Sequence, residues 1–358
     1  YLPSVALNPN GAGASYAGSS MNWTYQIPLA ASWEVDVFGK ILNSKRGAEA
    51  GFAQAKDYEQ AVRSQIISGV ANCYYSIAAL EKQLNISRKT ADNWASSVQV
   101  MKDLKLAGQV NEAAVVQSTA QYYSILSSIT DLESALVNAN NSMSLLMNVM
   151  PQTWSISPDA TLAAPAMIRE GVPMVELAAR PDIKAAERSV AVAYYATNSA
   201  RAAFYPGLTI SANGGFTNLL GSFVKNPGDW FVQLAGSLTA PLFARGQNIA
   251  RLKAAKAQQQ QAMNNFEYAL MSASAEVRYA MTVYDNTSAK ADLLRSQVEN
   301  LEKSVEYTGE LLTLGTATYL EVLTAQQSLL NAQIGVVSCQ LSNTQAIINL
   351  YQALGGGR

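Results

Sequence analysis

Two kinds of apolar spacing divide the chain. Val298, Leu301, Val305 and Leu312 step by three, four and seven, and the pairs Val322/Leu323, Leu329/Leu330 and Val336/Val337 return every seven residues. That spacing keeps one helix face apolar and, when sustained, gives coiled-coil packing. The prolines sharpen the reading, because all eleven lie at 3, 9, 28, 151, 158, 165, 173, 181, 206, 227 and 241. The stretches 29–150 and 242–358 have none; rich in Ala, Gln, Leu and Ser, they predict very long helices. The segments 1–36 and 205–242 alternate with period two instead. Leu208, Ile210 and Ala212 alternate with Thr209, Ser211 and Asn213, and Trp230, Val232, Leu234 and Leu238 with Phe231, Gln233, Ser237 and Thr239. Trp23, Tyr25, Ile27 and Leu29 share a face more loosely. These are strand patterns, with Gly/Asn/Ser-rich turns predicted at 8–20 and 218–228.

The order of elements occurs twice. Pro3 matches Pro206, Val37-Phe38 matches Leu242-Phe243, Tyr58 to Val62 matches Phe266 to Leu270, and Gly108 lies 207 residues before Gly315. Each half reads as strand, turn, strand, long helix, glycine break and return helix. The predicted organisation is a first repeat over 1–150 (strands about 1–36, helical hairpin about 37–150), a linker over 151–172, and a second repeat over 173–358. The second repeat has a helix at about 173–203, strands at about 205–242 and a hairpin at about 243–355. By this symmetry a helix is expected before Tyr1.

Composition removes several functions. With 25 Lys+Arg against 26 Asp+Glu there is no basic field for nucleic acid, and with no His the commonest general base and transition-metal ligand is missing. Cys73 and Cys339 form no paired motif and read as small buried apolar groups. No enzyme activity and no cofactor is expected. Met101, Met143, Met147 and Met150 raise soft-metal export, although Met at helical spacing is more often core. Only 14% of residues are charged, against about 25% in average domains. No apolar run reaches the roughly 20 residues of a spanning helix, whereas a membrane strand needs only about ten alternating residues. Four strands cannot close a barrel, and open edges are not tolerated in lipid, so membrane strands here demand several copies of the chain. Judged alone, the periodicities leave an ordinary helical bundle, a soluble sheet on helices, or a structural coiled coil without a pore.

The segment Arg180-Pro181-Asp182-Ile183-Lys184-Ala185-Ala186-Glu187, followed by Ala202-Ala203-Phe204-Tyr205-Pro206, resembles the TolC-like outer-membrane efflux factor family. Pro241-Leu242-Phe243, the run Leu314 to Leu323 and the closing Ala353-Leu354-Gly355-Gly356-Gly357 support the resemblance, which covers essentially the whole chain. It implies a mainly α fold with a small membrane β part. Four strands per chain would contribute to a twelve-stranded transmembrane barrel shared in a homotrimer, and the helical hairpins would form an α-barrel in the periplasm. The implied function is a passive outer-membrane exit duct of a tripartite efflux pump carrying small molecules such as drugs. Its partners would be a periplasmic adaptor protein, an inner-membrane transporter of the RND type and outer-membrane lipid. A protein-secretion duct of type I systems has the same fold. A signal peptide and a lipid-bearing cysteine are family expectations that the sequence does not display.

The resemblance places function at the two helix-hairpin tips. Leu106 and Gly108, with Leu314, Gly315 and Thr316, would form the tips and contact the adaptor, and glycine suits the positive φ of such turns. Glu321 falls where the family often carries a gate carboxylate, with Glu112 the nearest acid at the first tip. Ala114 and Ala317 depart from the family pattern, which removes a locking salt bridge through those positions. The run 322–357 carries no charge; it predicts a helix packed among neighbours or one lining a neutral pore.

Overall fold

The computed structural model describes residues 2–15, 20–156, 177–217, 229–240 and 245–356. They form two compact units: Tyr1–Asp57 with Lys184–Ala269, and Tyr58–Ile183 with Leu270–Arg358. The strands are β1 (Ser4–Leu7), β2 (Asn10–Ala14), β3 (Asn22–Val35), β4 (Gly207–Thr217) and β5 (Asp229–Thr239). The helices are α1 (Lys40–Leu106), α2 (Glu112–Leu146), α3 (Pro181–Ala202), α4 (Gln247–Thr313) and α5 (Tyr319–Ala353).

The duplication is tighter in structure than in sequence. Helices α1 and α4 each have 67 residues, and α2 and α5 each have 35. Their starts and ends lie 207 residues apart. At 1.5 Å per residue each 67-residue helix rises about 100 Å.

The first unit holds one antiparallel sheet in the order β1-β3-β4-β5, with β2 also on β3. The predicted turn at 8–20 is corrected here, because Asn10–Ala14 is strand. Ser4 pairs with Ser32, Leu7 with Leu29 and Asn10 with Gln26, so one register runs through β1 and β2. The break between them is Pro9, which has no N–H to give to the ladder, while the Asn8 N–H still reaches the Pro28 carbonyl at 3.1 Å. The Gly/Ala run reads as a turn by composition. It holds as a strand because glycines 11 and 13 pair with Tyr25 and Trp23. A Cβ on Gly13 would sit 3.2 Å from the Trp23 ring, so the small residue makes room for the aromatic one. β1 and β2 thus act as a single interrupted strand. The predicted turn at 218–228 and the Pro241-Leu242-Phe243 junction lie outside the described residues.

Register sorts the sheet into two unlike faces. Val5 pairs with Ala31, Leu7 with Leu29, Trp33 with Ile210, Ala212 with Leu234 and Phe216 with Trp230. Paired residues share a face, so one face is apolar across all strands. Trp23, Ile27, Leu29, Trp33, Phe216, Trp230, Val232, Leu234 and Leu238 on it are all exposed. The other face pairs Ser4 with Ser32, Glu34 with Thr209, Asn213 with Gln233 and Ser211 with Ala235. Trp23 and Trp33 are about 34 Å apart along β3, which projects to about 24 Å at a strand tilt near 45° and matches the apolar band of a membrane barrel.

In the second unit, Trp94 of α1 is buried with Ala91 against Ile125 of α2 and Leu323 and Leu330 of α5. Of the heptad pairs, Leu323, Leu330 and Val337 are the buried members, together with Val322. Many other buried positions are small, including Ala79, Ala273, Ala280, Ser118 and Ser144. The charge-free run of α5 bonds to three helices through neutral groups. The Gln83 amide donates to Ser338 Oγ (2.9 Å), the Gln121 amide to Gln327 Oε1 (2.5 Å) and the Asn343 amide to Ser288 Oγ (2.8 Å). This helix is therefore packed among α1, α2 and α4.

Arg180 ties three segments of this unit together. Only 7% exposed, it donates to both Asp182 oxygens (3.0 and 2.7 Å), to Glu276 of α4 (2.9 Å) and to the Ala353 carbonyl at the end of α5 (3.0 Å). Pro181 opens α3, where its missing N–H costs nothing.

Candidate functional site: the helix-hairpin tips

Both tips close with the same hydrogen-bond pattern. After α1, the Gly108 N–H bonds to the Lys105 carbonyl and the Gln109 N–H to that of Leu104; after α4, the Gly315 N–H bonds to Leu312 and the Thr316 N–H to Leu311. This is the Schellman end, which needs a left-handed residue at its turn. Gly108 and Gly315 supply it with φ of 73° and 72°. No atom lies within 4 Å of a Cβ built on Gly315, so a side chain there meets only the backbone penalty. We expect Gly315→Ala to cost about 1–2 kcal/mol. Gly309→Ala, in an open helix-interior position of α4, should be stabilising by about 0.5–1 kcal/mol. Thermal unfolding of the two variants side by side checks the pair.

The return helices start differently. Asn111 caps α2 by accepting from the Ala114 N–H at 3.0 Å. Glu321 instead reaches back from α5 and accepts the Thr318 N–H at 3.0 Å, the reciprocal half of a capping box. The first tip uses a cap side chain and has alanine at the third position; the second keeps its acid there. Glu112 lies at the start of α2 and forms an ion pair with Lys105 across the first turn. With Ala114 and Ala317 lacking polar side chains, neither position contributes to an ion pair.

The two tips face each other across a cavity of about 440 Å³. Met101, Val110, Asn111 and Gln117 line it from the first hairpin, and Thr318, Tyr319, Leu320 and Leu323 from the second. Burial pushes the Tyr319 hydroxyl above its ordinary pKa, with a bond to Ser97 opposing it. Leu106 and Leu314 stand out from the tips, 86% and 74% exposed. Of the residues singled out from sequence, Gly108, Gly315 and Thr316 build the turns, and Leu106 and Leu314 are surface apolar groups. Lys105, Asn111, Thr318 and Tyr319 are additions. The capping pattern Thr318-x-x-Glu321 was the readable signal for Thr318. The four methionines do not converge. Met101 is buried at the tip, whereas Met143 packs with Ile77, 24 residues along α1, and Met147 and Met150 are exposed. Among the described residues no group of three His, Cys, Asp or Glu is placed to hold a metal, and no helix is long and apolar enough to cross a membrane.

A sheet with one apolar and one polar face, joined in sequence to duplicated helical hairpins with glycine-closed tips, defines a class of long-helix proteins that carry a small antiparallel sheet. The chain belongs to the outer membrane efflux protein family, whose model matches residues 1–149 and 172–356. It is 29% identical over 338 residues to the probable outer membrane lipoprotein SilC of Salmonella typhimurium, covering 93% of this chain and 72% of SilC. It is 27% identical over 361 residues to the cation efflux system protein CusC of Escherichia coli K12, covering 98% of this chain and 78% of CusC. It is 28% identical over 338 residues to the pyoverdine export outer membrane protein OpmQ of Pseudomonas aeruginosa, covering 93% of this chain and 70% of OpmQ. A crystal structure of CusC superimposes with a TM-score of 0.89 at 25% identity, over 99% of this chain and 84% of that one. The family's proteins are efflux ducts of the outer membrane.

Proposed function

We propose that the protein is a subunit of a passive exit duct in the bacterial outer membrane, gated at the helix tips. The observation that carries this reading is the sheet with one apolar face and two open edges, β1–β2 and β5. Lipid does not accept unpaired edges. Successive strands are antiparallel, so β5 of one copy meets β1–β2 of the next in antiparallel sense and rings of copies close. Three copies give twelve strands, and the helical hairpins supply the periplasmic wall. A periplasmic adaptor docks at the tips, where Leu106 and Leu314 offer apolar contacts, and an inner-membrane transporter of the RND type supplies the energy. The cargo is small molecules, drugs among them; relatives named for cations and for pyoverdine show that one framework serves different cargoes.

Three copies of Glu321 around the axis make an anionic ring that favours cations in the closed state. Its capping bond complicates a simple truncation, because losing the cap costs about 1 kcal/mol by itself. Glu321→Gln removes the charge and keeps an acceptor for the Thr318 N–H. In planar bilayers the parent should show cation-selective openings, and both Glu321→Gln and Glu321→Ala should lower that selectivity, with only the alanine variant less stable. Unchanged selectivity in both variants would remove Glu321 from the gate. A protein that gives no conductance and stays monomeric without detergent would sink the duct.

A further inference from the structure

The sheet meets the helices around a second cavity, of about 260 Å³, wholly within the first unit. Its lining brings together Glu34 and Asp36 from the end of β3, Lys40 from the start of α1 and Arg251 from the second turn of α4. Tyr205 and Phe38 also line it, their rings stacked 4.7 Å apart at 14°. Glu34 pairs with Thr209, and Gly207 with Thr239, which puts this part of the lining on the polar face of the sheet.

The charges are unevenly committed. Glu34 Oε1 accepts from Lys40 at 2.9 Å, and Asp36 Oδ2 accepts the Leu42 N–H at 2.6 Å, which engages one oxygen of each carboxylate. Among the described residues Arg251 makes no ion pair, and its guanidinium keeps a planar set of donors for a carboxylate. The Lys40–Glu34 pair is half exposed, so a competing ion can enter it at low cost.

We infer that this cavity is a transient binding site, on the inner wall of the duct, for small zwitterions that carry an aromatic or apolar body. The carboxylate of the solute goes to Arg251, its ammonium to the acidic pair Glu34 and Asp36, and its ring onto the Phe38/Tyr205 stack. This inference rests on the duct reading, since the polar face of the sheet lines the lumen only in a closed barrel.

The test is solute block of single-channel current in planar bilayers, with free tryptophan as the zwitterion and indole and tryptamine as probes lacking the carboxylate. Tryptophan should produce resolved, concentration-dependent interruptions, and the other two should not. Arg251→Gln should weaken tryptophan block by about tenfold, and Arg251→Lys should restore much of it, as loss and return of a charge-assisted contact require. Open-channel conductance before solute is added shows that each variant has assembled. Equal block by indole, or block unchanged in Arg251→Gln, overturns the site while leaving the duct intact. Absence of any conductance in the parent overturns the duct and this site together.

Discussion

Leu234→Arg is expected to abolish assembly in the outer membrane, and Gln233→Arg, one residue away, is expected to leave it nearly unchanged. The two positions lie mid-strand in β5 on opposite faces. Leu234 shares the apolar face with its partner Ala212, and Gln233 shares the polar face with Asn213. A cation facing lipid near the bilayer midplane costs about 2–4 kcal/mol per strand, whereas one facing the lumen remains hydrated. An oligomer repeats that cost in every copy. Heat-resistant oligomers in isolated outer membranes report the result. The lumen variant should also shift ion selectivity toward anions, a readout that simple loss of folding does not produce. If both variants assemble equally well, the apolar face does not meet lipid.

Arg180→Met is expected to destabilise the second unit and to change how its stability depends on pH. The guanidinium is buried and satisfies Asp182, Glu276 and the terminal carbonyl of α5 together. Its removal leaves two carboxylates and a helix C-terminus without their cation. Hydrogen bonds to charged groups are each worth about 1.5–3 kcal/mol. Because the Asp182 and Glu276 side chains are about half exposed and regain water, the net loss should be about 2 kcal/mol. The pH dependence distinguishes this from generic loss of packing. Burial pushes the Asp182 carboxyl up, but the hydrogen bond and charge of Arg180, with the Ile183 N–H, outweigh it and hold the carboxyl below its ordinary value. A group with a lowered folded pKa contributes stability above its unfolded pKa, about 3.9, and loses it as pH falls through the folded value. The parent should therefore lose stability below about pH 4 through this group, and Arg180→Met should lose less there. Thermal unfolding followed by circular dichroism at neutral and acid pH measures both effects. Parallel pH curves for parent and variant would show that Asp182 is not held by Arg180.

The tips were legible to different depths. Gly108 and Gly315 could be read because a glycine ending a long periodic helix has one common use, and both are found in left-handed turns. The Thr318-x-x-Glu321 spacing was equally readable, since a capping box is local. The pairing of Glu112 with Lys105, only seven residues away, was less so, because it needs the turn to fold the chain back on itself. Asn10–Ala14 shows the opposite failure. Its composition signals a turn, and it becomes a strand because it pairs residue by residue with Asn22 to Gln26 of β3, where Gly13 leaves room for the Trp23 ring.

The sequence by itself determined the long helices, their order, their duplication and the apolar faces of β3, β4 and β5, but not β2. Those properties rest on proline placement and on spacings of two, three, four or seven residues, which are interactions of short range along the chain. Tertiary structure alone decided that β1 and β2 share one register, that Arg180 meets Glu276 and Ala353, and that Glu34, Lys40 and Arg251 surround one cavity. These groups come from separate elements, and which of them meet depends on how those elements align, a geometry that no local periodicity encodes.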